Sequence, residues 1–207
     1  KIIYTLSIVL GLGLSANAQI EKLAGPRLGA VYISASPASG FLNGTHDIFE
    51  DKEVRWEDYD PNGTVTSLYG WQFESRFADG YQVTGIVEWI ILVGGMERGK
   101  FLPSASSMVG ARMANGLEFA IGPNLSFGGI AMVFGMGYNF KVGDLNLPVN
   151  LAFVPGRAGT QNMEIHEEID PDGIPYNGDE FTQMTEYDVD YHTGNRISIT
   201  LGFNLGR

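Results

Sequence analysis

Six ionisable residues have the types and spacing to do chemistry together: Glu74, Arg76, Glu88, Arg112, Glu118 and Arg196, three acids and three bases. Glu74 and Arg76 are two residues apart, which puts both on one face of a strand. Carboxylates within reach of guanidinium groups can form a neutral buried network, gate a narrow pore by exchanging partners, or serve as general acid and base. A second group resembles cation ligands. Asp58, Asp60 and Asn62 hold the first, third and fifth places before Gly63, as in the first half of an EF-hand loop, but the twelfth place is Tyr69 and not a bidentate Glu. Asp170 and Asp172 precede Gly173 in the same way, with Asp179 twelfth. Calcium on these segments is one reading. Plain turn chemistry is the other, since Asp60-Pro-Asn-Gly63 and Asp170-Pro-Asp-Gly173 let Pro set φ and Gly take the left-handed position. His46, His166 and His192 fall between the regular segments with no accompanying catalytic motif, so no catalytic residue is assigned and no enzyme is expected.

The elements that position these residues read as strands. From Val65 to Val93 two arms of alternating hydrophobicity fold about Ala78-Asp79-Gly80. Val65, Tyr69, Trp71, Phe73 and Phe77 share one face of the first arm, with Glu74 and Arg76 opposite. Tyr81, Val83, Val87, Trp89, Ile91 and Val93 share one face of the second, with Glu88 opposite. A soluble sheet would bury the aromatic face and expose the charges. The reverse polarity, apolar outward and polar inward, is that of a membrane barrel.

The same alternation predicts further strands at Arg27–Ala35, Ser107–Ala114, Leu117–Leu125, Ile130–Phe140, Leu147–Phe153 and Arg196–Leu205. Asn115-Gly116 is a favoured two-residue hairpin turn between two of them. The total is eight, giving an all-β fold: an eight-stranded antiparallel up-and-down transmembrane β-barrel. An even count puts the long loops 37–64, 94–106, 126–129 and 156–194 on one, extracellular, side and short turns near 79, 115 and 143 on the other. Tyr69, Phe77, Tyr81, Trp89, Tyr138, Phe140 and Phe203 form the expected aromatic girdles. An interior of this size holds only side chains, so the six charges are expected to pair there as a plug.

Composition agrees with a chain of strands and turns: 207 residues, 28 Gly, 12% aromatic, and no Cys, which excludes disulfides and thiolate metal sites. Lys1, the apolar run Ile2–Leu14 and Ala16-Asn17-Ala18 read as a secretory signal peptide, residues 1–18, leaving 19–207 as the barrel. The net charge of −11 is concentrated in two loops. Residues 37–64 carry seven acids against Lys52 and Arg55, and 156–194 carry ten against Arg157 alone. Such acidity excludes nucleic acid as a partner.

The whole mature region resembles the eight-stranded outer-membrane barrels of Gram-negative bacteria, the architecture of the OmpA, OmpX and OmpW-like families. Asn115-Gly-Leu-Glu-Phe-Ala-Ile-Gly-Pro-Asn124 and Pro148-Val-Asn-Leu-Ala-Phe-Val-Pro155 are similar to stretches in uncharacterised members of that class. Phe203 and Leu205 resemble the alternating positions of a C-terminal assembly signal, although the chain ends Gly206-Arg207 and carries Thr200 where Gly is frequent. The resemblance implies location in the cell outer membrane, contact with its lipid and lipopolysaccharide, and assembly by the barrel-insertion machinery. It implies a structural or surface-interaction role, alone or docked on a larger outer-membrane complex. The alternatives are a small solute pore and, further off, a lipid-modifying barrel enzyme.

Overall fold

The computed structural model describes residues 22–45, 62–143, 145–169 and 181–206. The export signal expected at 1–18 lies outside them. Strand β1 (Lys22–Ile33) leads through helix α1 (Pro37–Asn43) to β2 (Thr64–Asp79) and β3 (Val83–Gly94). A short 3₁₀ turn, Met96–Arg98, precedes β4 (Leu102–Met113), β5 (Leu117–Ser126), β6 (Gly129–Val142) and β7 (Leu145–Val154). Then come β8 (Ala158–Ile169), β9 (Phe181–His192), β10 (Arg196–Gly202) and β11 (Asn204–Gly206).

Each strand from β1 to β7 pairs antiparallel with the next, except that β7 pairs with β10 and β11, which pair in turn with β1. The sheet therefore closes into an eight-stranded antiparallel up-and-down barrel, with β10 and β11 as two halves of the eighth strand. The lapse between them has a cause in the neighbours. The register sets Pro26 of β1 opposite Phe203 and Pro148 of β7 opposite Gly202, and proline has no N–H to give the ladder. One bond, Phe203 N–H to Pro26 O at 3.2 Å, bridges the lapse.

The faces follow the alternation. Trp71, Phe73, Trp89, Phe119, Phe134 and Phe153 point outward, while Gln72, Glu74, Glu88, Arg112 and Glu118 are buried inside. The interior is not polar throughout. Toward the long-loop end it is apolar, with Val31, Ile33, Leu42 and Leu68 in one cluster and Met108, Ala131, Val133 and Val154 in another. Helix α1 caps that end. Ser36 and Ser39 form a reciprocal capping box, Pro37 opens the first turn, and Gly44 at φ 73° ends the helix.

Four segments differ from the sequence reading, the first being 37–64, where helix α1 stands in a stretch read as loop. The stretch 94–106 is not a long loop: β3 runs to Gly94 and β4 starts at Leu102. Gly95 (φ 85°) and Gly99 (φ 66°) compress the connection into one tight turn, and Pro103 sits where β4 has run past the end of β5, whose pairing begins at Ser104. Strand β1 starts at Lys22 and not at the expected Arg27, so 22–26 also belong to the wall. The acidic stretch 156–194 contains a regular hairpin, β8 against β9, forming a sheet separate from the wall. Among the described residues no helix is long and apolar enough to cross a membrane, which says nothing of strands.

Candidate functional site

The β2–β3 register sets Glu74 directly opposite Glu88, and the β4–β5 register sets Arg112 opposite Glu118. All four are inward positions near the short-turn end, so the closing of the sheet gathers them in one small volume. Arg112 reaches over β3 to grip Glu74 with two parallel bonds, Nη1 to Oε1 at 2.7 Å and Nη2 to Oε2 at 2.6 Å. Its Nε donates to Glu118 Oε1. This fork geometry is the strongest arrangement a guanidinium and a carboxylate can adopt. Glu88 accepts from Nε2 of Gln72, whose side chain is fully buried.

A second arginine, Arg27 on β1, joins the cluster and was not anticipated from the sequence. It is only 1% exposed, and its Nη1 donates to Pro148 O at 3.2 Å. Its guanidinium lies against Gly202, where an added Cβ would stand 2.7 Å from Arg27 Cζ. The signal that would have found it is the glycine itself, a missing side chain on the strand facing a long inward one. Arg76 is half-buried further along β2 toward the turn. Arg196 stands apart from the cluster: it opens β10 at the opposite end and donates through Nη1 to Ser126 Oγ at 2.7 Å. The sequence pattern placed it on the inward face but had no means of giving its height.

Burying such charges costs several kcal/mol per ion unless bonds to the partner repay it. Arg112 meets that condition with both neighbours, and the barrel is only wide enough for side chains, so the cluster fills the lumen at this level. It holds carboxylates, guanidinium groups and an amide.

At the other end a polar clamp ties the rim together. Ser67 Oγ and Thr66 Oγ1 both donate to the carboxylate of Glu97, and Thr66 Oγ1 accepts from Gly95 N–H at 2.9 Å. The hydrogen bond from Ser67, and then that from Thr66, hold the Glu97 carboxyl at about 2, below the ordinary 4.5. Arg98 donates to Asn43 Oδ1 at 2.9 Å, Leu42 O at 3.3 Å and Val65 O at 3.0 Å, fastening α1 to β2. The clamp was not legible because Glu97, Arg98 and Asn43 fell in stretches read as loops, while their partners Thr66 and Ser67 fell in a strand.

Between plug and rim lies a cavity of about 130 Å³ whose lining runs from Glu88 and Glu118 up to Ser126 and Arg196. The aromatic residues expected to form girdles, Tyr69, Phe77, Tyr81, Trp89, Tyr138, Phe140 and Phe203, all face outward. Tyr138 and Phe140 pack with ring planes tilted by 55° and centroids 4.7 Å apart, and Trp89 sits in the middle of the wall opposite Phe73 and Ser107. Of the candidate calcium ligands, Asp58, Asp60, Asp170, Asp172 and Asp179 lie outside the described residues. Asn62 is described, and its carbonyl accepts from Asn43 Nδ2 at 3.1 Å. Among the described residues no cluster of three or more His, Asp or Glu side chains has the geometry to hold a metal ion.

No protein-family model matches the chain, and no curated protein matches it significantly. Among solved structures, an acetoacetate decarboxylase-like enzyme from Sphingomonas wittichii RW1 aligns with 13% identity over 91% of this chain and 92% of that one. The TM-score of 0.15 means that the two do not share an arrangement in space, and the similarity bears on neither fold nor activity.

Proposed function

We propose that this chain is an integral outer-membrane β-barrel with its lumen plugged at the short-turn end, serving a structural or surface-interaction role and not catalysis. The observation that carries the reading is the polarity of the wall. Large apolar side chains, from Leu28 and Tyr32 on β1 to Ile199 and Leu201 on β10, cover the outside, and the charges lie within. Exposed apolar area on this scale far exceeds the patches that a soluble monomer tolerates, whereas hydrocarbon solvates it. Strand lengths agree: ten residues, the length of β5 and β7, tilted by about 45° span roughly 24 Å, close to the ~25 Å apolar band of such barrels.

On this reading the long-loop end faces outward, and lipid, lipopolysaccharide and a larger membrane assembly are the partners to seek. Two measurements test it. In detergent the folded chain should migrate differently on electrophoresis before and after boiling, and migration unchanged by heat sinks the barrel-in-membrane reading. In a planar bilayer the intact protein should pass no steady current. Steady conductance sensitive to Glu88→Ala would replace the plug by a pore.

A further inference from the structure

We propose that the loop-side half of the lumen is a binding site for a compact apolar monoanion, of the size of a single aromatic carboxylate. The inference goes beyond a structural role and depends on the closed barrel, not on where the barrel resides. Its first support is size and lining. The cavity holds about 130 Å³ and its walls include Ile90, Met108, Ala120, Val133, Ala152 and Val154. An apolar cavity of about 150 Å³ accepts benzene, so this one takes one ring or a comparable short branched chain and excludes a long acyl tail.

The second support is the polarity of the two ends. Arg196 lines the cavity at its upper end beside Ser126, Phe127 and Gly128. One of its N–H groups is used by Ser126 Oγ, its Nε is buried with no hydrogen-bond partner, and among the described residues no carboxylate pairs with it. A guanidinium carries five donors, so most of this group's capacity is unspent. Arg157 reaches the same turn, its Nη2 donating to Gly128 O at 3.0 Å, which adds a second positive charge beside the entrance. The lower end is lined by Glu88 and Glu118. Carboxylates there repel an anionic head, so the ligand has one orientation: carboxylate at Arg196, ring in the apolar belt. The opposite side of the upper end is covered by Ala38 and Leu42 of α1, packed on Val31, Ile33 and Leu68.

The test uses the full chain folded in detergent, with 4-fluorobenzoate as probe and fluorine NMR as readout, and with fluorobenzene and hexadecanoate as comparison ligands. Saturable binding of fluorobenzoate is expected, with weaker binding of fluorobenzene and no competition from hexadecanoate. Arg196→Gln should weaken fluorobenzoate by about ten-fold or more, the loss of a charge-assisted hydrogen bond, and leave fluorobenzene within about two-fold. Ala152→Phe, which fills the cavity, should abolish both. Where either variant lacks the wild-type β-sheet circular dichroism spectrum, Arg196→Lys and Ala120→Leu take its place, the first retaining most of the affinity and the second removing it. No saturable binding to the folded wild type overturns the proposal, as does equal loss of charged and neutral probes on Arg196→Gln, or hexadecanoate outcompeting fluorobenzoate.

Discussion

Glu74 and Glu88 stand opposite one another across the β2–β3 ladder, yet of these two Arg112 grips Glu74 alone and leaves Glu88 to the amide of Gln72. Two like charges set face to face repel, so the pair is tolerable only because one member is fully engaged by a cation. The two carboxylates should therefore respond unequally to neutralisation. Glu74→Gln and Arg112→Met each break a buried ion pair and should cost about 3–5 kcal/mol. Glu88→Gln removes the repulsion and should fall within about 1 kcal/mol of wild type or stabilise. Urea unfolding followed by tryptophan fluorescence reads all three, and equal losses at Glu74 and Glu88 would contradict the geometry.

The rim clamp makes a pH prediction. Because the Glu97 carboxyl is held at about 2 in the folded chain against an ordinary 4.5, its hydrogen bonds contribute fully above about pH 4.5 and are lost as pH falls toward 2. Amide exchange in 95–101 should stay slow and constant from neutral pH to about 5, after allowance for intrinsic rates, and accelerate below that. Glu97→Gln should flatten the profile. A Glu97 carboxyl titrating at its ordinary value would disprove the clamp.

Membrane residence predicts a depth profile on the outer wall. Phe134 faces outward between Ile121 and Phe153 in the middle of its strand, whereas Tyr81 lies in the short β2–β3 turn and is 98% exposed. Phe134→Lys should cost about 2–4 kcal/mol in a bilayer and Tyr81→Lys about 0–1. Equal and small effects in folding titrations into liposomes would argue for a barrel that stays in water.

The β8–β9 hairpin shares no ladder with the wall, and its base is held by Thr193 N–H donating to Arg157 O and Arg157 N–H donating to Thr193 Oγ1, both at 2.9 Å. Joining these two residues by a short Asn-Gly linker should leave the boiled and unboiled gel mobilities distinct. Loss of the folded band would mean that the hairpin supports the barrel.

Strand count, hairpin order and the direction of each face were legible because outward and inward residues differ so strongly, as at Trp71, Gln72, Phe73 and Glu74. The hairpin at 156–194 was hidden by residues that strands disfavour, among them Glu164, Glu167, Glu186 and Asp188. The site was half legible. Alternation says that Arg112 and Arg196 both point inward, but height in the lumen depends on how far each strand is staggered against the next, and no local pattern records that. The stagger brings Arg112 to Glu74 and Arg27 to Gly202, and carries Arg196 to the other end. The apolar upper lumen was missed for a related reason: Val31 and Ile33 look the same whether they face lipid or a lumen.

The split eighth strand bears on how the molecule is made. Seven of the eight seams in the wall need only a neighbour close along the chain or already in place, but the β1 seam joins Arg27 to Gly202 and waits for nearly all of the chain. Until that meeting the molecule is an open ribbon with two bare margins, β1 and the eighth strand formed by β10 and β11, each able to recruit a foreign strand. Pro26 blunts the β1 margin at the level where it is finally bridged to Phe203. Production of this protein is thus a race between its own two extremities and the strands of its neighbours, and a folding assistant has two edges to shield.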